Sequence, residues 1–268
     1  MTEHPARIGT SLRIKRPMHP FKAYAGAIAL GLAIAGYAEL GGPGIDSLQI
    51  ASDSVMNWAG GSKPVETAPW RDLYGTHQVH LHRVDARLAA LTGESLSLSA
   101  LSAEITRGLG TDLEKIYAIH RWISLHIRYD EGDFLTRNFR NAASASITLE
   151  RRAGVCDGIA SLVVALGREA GLEVDKLVGE AKGASYRPGK VLQIKHAWNR
   201  VRIGNGWFLL DATWDLDSES GRPTAGSRSR PLRWFLVDPA VMIRTHLPHS
   251  SRWQLLTPPV NRAAFADS

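Results

Sequence analysis

The sequence predicts an α+β fold, with helices packed on an antiparallel sheet. Three observations carry that expectation. Between residues 111 and 171, apolar residues recur twice at helical spacing, each time behind a helix-start signal. Beyond residue 174 the pattern becomes short alternating runs, and Asn205-Gly206 between two of them is a hairpin signal. With 268 residues, 44% apolar and 22% charged, the chain is long enough and apolar enough for one sizeable core.

The elements follow in order. Residues 1–22 form a basic leader, with Arg7, Arg13, Lys15, Arg16 and Lys22 against one acid, Glu3. That is +4 of the net charge of +6, and the remaining 246 residues carry about +2, so the high charge is mostly a property of the leader and nucleic-acid binding is not expected. Residues 23–38 carry no charge. That stretch is short for a membrane span but long enough for a signal-peptide core, and Gly36-Tyr37-Ala38 ends in a small-x-small cleavage pattern. Positive charge ahead of it puts the N-terminus in the cytoplasm and the rest outside. The expected location is therefore periplasmic or otherwise extracytoplasmic, cleaved or held by a single-pass anchor. The competing reading is a buried or interfacial helix of a cytosolic protein. Residues 39–75 read as a linker, from Gly41-Gly42-Pro43-Gly44 and Gly60-Gly61-Ser62-Lys63-Pro64, with a short amphipathic piece at Ile45–Trp58.

The domain proper spans 76–268. Alternation over Thr76–Val84 predicts a strand with His80 and His82 on one face. With His77 these are metal-ligand types, but no carboxylate or cysteine completes the set in sequence, so neither metal nor cofactor is expected. Residues 94–110, rich in serine and leucine, are helical in part. Thr111-Asp112-Leu113-Glu114 is a capping box. The helix it opens carries Leu113, Ile116, Tyr117, His120, Trp122 and Ile123 and ends near Ile127. Arg128-Tyr129-Asp130 leads into a polar loop, 131–148, of a length that is often functional. A second helix opens at Cys156 and ends near Gly171. Strands follow at Val174–Val178 and on either side of the hairpin, Ile194–Ile203 and Trp207–Asp211, with a Gly/Pro loop at 183–190 between the first two.

Cys156 is the only cysteine, so no internal disulfide forms. A thiol at a helix N-terminus feels the positive end of the backbone dipole, which stabilises the reactive thiolate. Buried structural cysteine is the bland alternative. Thiol chemistry needs a nucleophile, a proton-carrying partner and a group that orients the partner. Cys156, His196 and Asp211 supply these in chain order. One point resists. With a turn at Asn205-Gly206, Asp211 pairs opposite Arg200, four residues from His196, or roughly 13 Å along a flat strand. A bulge, a different turn or strong twist must shorten that distance. Read singly, His196 is also a plain strand residue and Asp211 a turn carboxylate beside Thr213.

Three motifs in sequence resemble the transglutaminase-like (papain-related) superfamily: Gly154-Val155-Cys156-Asp157-Gly158, His196-Ala197-Trp198-Asn199 and Asp211-Ala212-Thr213-Trp214. Others resemble its kyphoscoliosis-peptidase-type branch. These are Trp122-Ile123, Ile127-Arg128-Tyr129-Asp130, Ala181-Lys182-Gly183, Trp234-Phe235-Leu236-Val237-Asp238-Pro239, Thr245-His246-Leu247-Pro248 and Trp253-Gln254-Leu255-Leu256. The resemblance covers about 112–257. It implies a papain/transglutaminase-like α+β core with the nucleophile at a helix N-terminus. It also implies a triad of Cys156, His196 and Asp211, and acyl chemistry on protein or peptide amides, by hydrolysis or by transfer to an amine such as in protein-glutamine transamidation. The chain departs from the pattern at Asp157-Gly158-Ile159-Ala160, where a glutamate, and an aromatic after the glycine, are common. The backbone N–H of Cys156 is one expected oxyanion donor, and a side chain from the 131–148 loop, Asn138 or Asn141, the second. Trp198 and Asp157, beside the histidine and the cysteine, are expected to contact substrate. The implied partner is a protein or peptide, with the membrane reached only through the N-terminal segment. The competing function is a non-catalytic protein-interaction module on the same fold.

Overall fold

The computed structural model describes residues 77, 80–94, 96–136, 143–183, 186, 195–216 and 231–267, all within one compact unit, Ser62–Ser268. The leader, the apolar segment 23–38, the linker 39–75 with its Ile45–Trp58 piece, Asn138 and Asn141 lie outside the described residues.

The expected strand at Thr76–Val84 is helical where it is described. Residues 80 and 81 are helical and run through a 3-10 turn, His82–Val84, into α1 (Asp85–Ala90). Leu81, Val84 and Leu88 share one helical face, and their burial outweighs the alternation of His80 and His82. α2 (Leu98–Thr106) is capped by Ser97, whose hydroxyl accepts from the Ala100 N–H, and it buries Leu101 and Ile105. α3 (Asp112–His126) opens on the full capping box, with the Thr111 and Glu114 side chains each bonded to the other's backbone. From Ile116 to His126 every residue of α3 is buried, a fuller enclosure than one apolar face requires. Its polar side chains are bonded inside: Arg121 to Asp85, Ser124 to the Arg121 carbonyl, His126 to the Leu88 carbonyl and His120 to Asp215.

β1 (Arg128–Tyr129) pairs in parallel with β2 (Ala153–Gly154). Between them the expected polar loop contains two short helices, α4 (Glu131–Thr136) and α5 (Ala145–Arg151). Ser144 caps α5, and Arg151 holds the pair together through Asp130 and Asp133. α6 (Cys156–Glu169) buries Ile159, Leu162, Val163 and Leu166 in the core shared with α2 and α3. It stops where Gly171 takes φ 79° and the Leu172 N–H turns back to the Gly167 carbonyl.

β3 (Val174–Ala181), β4 (Lys195–Ile203) and β5 (Gly206–Leu210) are followed by α7 (Pro239–Met242), β6 (His246–Pro248), a 3-10 turn at Ser251–Gln254 and α8 (Arg262–Asp267). The four long-range strands form one antiparallel sheet in the order β5-β4-β3-β6. The helical core contains Val174, Val201, Phe208 and Leu210 from the sheet, and a second core holds Leu177, Trp198 and Leu209 with Trp253 and Leu255. β6 comes so close to β3 that a Cβ on Gly179 would lie 2.1 Å from the Leu247 carbonyl oxygen.

Candidate active site

Cys156 is the first residue of α6, behind an extended Val155 (φ −81°, ψ 173°). Neighbouring elements hold that end. The Arg128 N–H donates to the Arg152 carbonyl at 3.0 Å and the Asp130 N–H to the Gly154 carbonyl at 3.1 Å. Gly154 lies against Thr148, where a Cβ would come within 2.9 Å of the methyl carbon. From the sheet, Lys176 Nζ bonds Asp157 at 2.7 Å, and Asn199 Nδ2 donates to the Ala160 carbonyl at 3.0 Å. The thiol is half-buried, so it is not sealed in the core.

The hairpin that carries His196 and Asp211 does not turn at Asn205-Gly206. Ile203 pairs with Gly206, which makes Gly204-Asn205 the turn. Gly204 takes φ 58°, the positive value a primed turn requires at its first central residue. Extending this register sets Asp211 level with Trp198, two residues closer to His196 than the expected pairing. The different turn thus supplies the shortening. Beyond Leu210 the chain leaves β4, and the Asp211 N–H donates to the Trp234 carbonyl.

His196 Nε2 lies 2.7 Å from Asp211 Oδ2. Asp211 is completely buried. Its Oδ1 accepts from the backbone N–H groups of Thr213 at 2.8 Å and Trp214 at 3.4 Å, and its Oδ2 is also met by His246 Nε2 at 3.1 Å. Burial alone would raise the carboxyl pKa. The positive charge of His196, then the hydrogen bonds from His196 and His246, reverse that and hold it well below the usual range. Burial likewise works against a charged His196. The charge and hydrogen bond of Asp211, joined by a hydrogen bond and charge from Cys156, raise its pKa to about 10. At neutral pH His196 is an imidazolium. Its Nε2 meets Asp211, which leaves Nδ1 free of that carboxylate, and Cys156 acts on the same ring.

His196, Asp211 and His246 each bring one ligand-type atom within 4.8 Å of the others. Both imidazoles meet the carboxylate at hydrogen-bond distance, and with Asp211 ionised both do so as donors. His77, His80 and His82 do not converge. His77 is exposed, His80 faces Glu114 at 3.5 Å, and His82 bonds Asp85 at 2.6 Å and Tyr117 at 2.8 Å.

Of the two expected substrate contacts, Trp198 is buried, while Asp157 stays partly exposed beside Cys156. Trp198 is 1% exposed. It shares a strand face with His196 and stacks near that ring (centroids 6.0 Å apart), where His246 and the second core cover it. Asp157 is tied to Lys176 at the foot of α6. Sequence reasoning passed over Tyr129, Trp214 and His246. The Tyr129 pKa is raised by burial and then by the charges of Cys156 and Asp211, which places the phenol in their electrostatic reach. Half-exposed Trp214 lies 5.5 Å from the His196 ring and 4.3 Å from His246. All three stand inside motifs quoted above, which was the available signal.

The model of the transglutaminase-like superfamily matches residues 99–212, a stretch that includes Cys156, His196 and Asp211. The chain is similar to kyphoscoliosis peptidase of Mus musculus and of Homo sapiens. Each is 30% identical over 217 residues, covering 78% of this chain and 32% of the relative. It is also similar to Lim and transglutaminase domain protein ltd-1 of Caenorhabditis elegans, 23% identical over 211 residues, covering 73% of this chain and 28% of that protein. The chain thus spans about a third of the length of the curated relatives it matches. The half of the site that follows the transglutaminase-like match, from Trp214 through Trp234 to His246, comes from the C-terminal region.

Proposed function

We propose that this domain is a thiol-dependent acyl-transfer enzyme acting on protein or peptide amides. One observation carries the reading: a cysteine that is not sealed in the core begins a helix, and its charge and hydrogen bonding act on a histidine that a fully buried carboxylate holds at 2.7 Å. Cys156 Sγ, as thiolate, attacks the carbonyl carbon of the amide, and the C=O pair moves to oxygen. The backbone N–H of Cys156, in the first helical turn, has no partner within the helix and serves as a donor to that oxyanion. Collapse breaks the C–N bond, and the Nδ1 proton of His196 passes to the departing amine. An acyl thioester and a neutral imidazole remain. Water then gives a proton to His196 and its oxygen to the acyl carbon, and the carboxylic acid leaves as the thiolate–imidazolium pair returns. Hydrolysis is favoured over transfer to an amine, because no feature of the described residues keeps water out of the half-exposed site. The basic and then apolar N-terminal sequence supports an exported or membrane-anchored setting for this activity.

The test is the rate of Cys156 alkylation by iodoacetamide at pH 6.5 in wild type and His196→Ala. An ordinary thiol has a pKa near 8.5 and is only about 1% thiolate at that pH, so the variant should react roughly a hundredfold more slowly than a fully paired thiolate. Equal rates in two folded proteins would overturn the reading.

A further inference from the structure

The acyl-transfer steps leave one buried titratable ring in the site unused. His246 has no exposed side chain and lies outside the stretch that the superfamily model matches. Its Nε2 stands 3.1 Å from Asp211 Oδ2, the oxygen that also holds His196 at 2.7 Å. Its ring packs among Trp198, Trp214 and Trp234, with centroids 5.1, 4.3 and 5.1 Å away.

We propose that His246 is a positioning residue, a neutral imidazole that donates its Nε2 proton to Asp211 and so keeps that carboxylate ionised and aimed at His196. The inference rests on the proposed roles of Cys156, His196 and Asp211. An ionised carboxylate only accepts, so both rings that meet Oδ2 do so as donors. A neutral ring that donates from Nε2 leaves Nδ1 without a proton, and Thr245 Oγ1, 2.8 Å from Nδ1 and 3.4 Å from the Met242 carbonyl oxygen, is the hydroxyl placed to meet it. Burial, and then the positive charge of His196, oppose protonation of His246 and outweigh the pull of Asp211 and of the Met242 carbonyl. The charged groups facing the ring are Asp211, from the end of β5, and His196, on β4. Trp198, Trp214, Trp234 and Thr245 are uncharged. Cys156 reaches the pair through His196, and Tyr129 on β1 feels both Asp211 and Cys156. Without His246, Asp211 keeps three of its four donors while it stays buried, and its proton affinity rises. The thiolate–imidazolium pair then fails at a higher pH on acidification.

β6 delivers the ring. His246 pairs with Ala181, and the Lys182 N–H donates to the Thr245 carbonyl at 2.9 Å. The edge strand, which follows the triad in sequence, therefore completes the shell around Asp211.

The experiment follows the pH dependence of iodoacetamide alkylation of Cys156 in the full chain. It compares wild type with His246→Phe, which keeps a ring and removes the donor; His246→Gln, which restores an N–H at similar reach; and Thr245→Val, which leaves His246 in place without its Nδ1 partner. The acid limb of His246→Phe should move up by about one pH unit, that of Thr245→Val by less in the same direction, and His246→Gln should return towards wild type. A limb that stays in place in His246→Phe, or a rate lowered by one factor at every pH, overturns the proposal. If His246→Phe does not fold by circular dichroism, Thr245→Val decides by the same criterion. A wild-type thiol that titrates as an ordinary one overturns the proposed function and this inference together. A depressed wild-type limb that His246→Phe and Thr245→Val both leave unmoved overturns this inference alone.

Discussion

At the scale of single residues, the site is organised by Asp211, a carboxylate with no exposed surface and four donors around it. Its effect on His196 makes stability depend on pH in a direction that can be worked out. The His196 pKa is raised from 6.5 to about 10, so its contribution is fully present below 6.5 and is lost as pH rises towards 10. The carboxyl is depressed from 3.8, so its contribution is present above that value and lost on further acidification. Urea midpoints of wild type and His196→Gln should therefore differ most between about pH 4 and 6.5 and converge progressively towards pH 10. A constant gap across that range would contradict the ion pair. Trp198 shows why residue type misleads at this scale. A tryptophan next to a candidate catalytic histidine looks like a substrate contact, yet strand alternation and the second core put it behind the imidazole.

At the scale of elements, start and stop signals were legible wherever they were local. The Thr111–Glu114 capping box, the helix that opens at Cys156 and the alternation of β4 all rest on neighbours a few residues apart. The hairpin turn was displaced by one position, because Gly204-Asn205-Gly206 offers two primed turns. Local chemistry does not rank them. Residues 131–148 were read as loop because α4 and α5, of six and seven residues, are too short to display a periodic face. The pairing of β3 with β6 tests the element that carries His246. Gly179→Ala would set a Cβ 2.1 Å from the Leu247 oxygen and 2.7 Å from Trp198, so β6 must move off β3. The variant should lose about 1–3 kcal/mol of stability in urea unfolding and alkylate Cys156 more slowly at acid pH. Wild-type values for both would show that the sheet edge adjusts freely.

At the scale of the whole molecule, the helical core and the sheet meet where α6 lies on β4, and that junction joins the helix that begins at Cys156 to the strand that carries His196. Buried Asn199 fastens it, donating from Nδ2 to the Ala160 carbonyl in α6 and to the Asp175 carbonyl in β3 at 3.3 Å. Asn199→Ala should cost about 1–3 kcal/mol by urea denaturation and lower the alkylation rate of Cys156, because the helix end loses its tie to the strand that carries His196. Unchanged stability and reactivity would remove Asn199 from this role. The sequence by itself determined the α+β class, the helix that presents Cys156 and the superfamily motifs, since each depends on periodicity, caps or residues close together in the chain. Only the tertiary structure decided the register that brings Asp211 to His196, the burial of Trp198 and the arrival of His246 from a distant edge strand. Those contacts join residues 15 and 35 positions apart, and at such separations packing and strand pairing, rather than local propensity, select the partner.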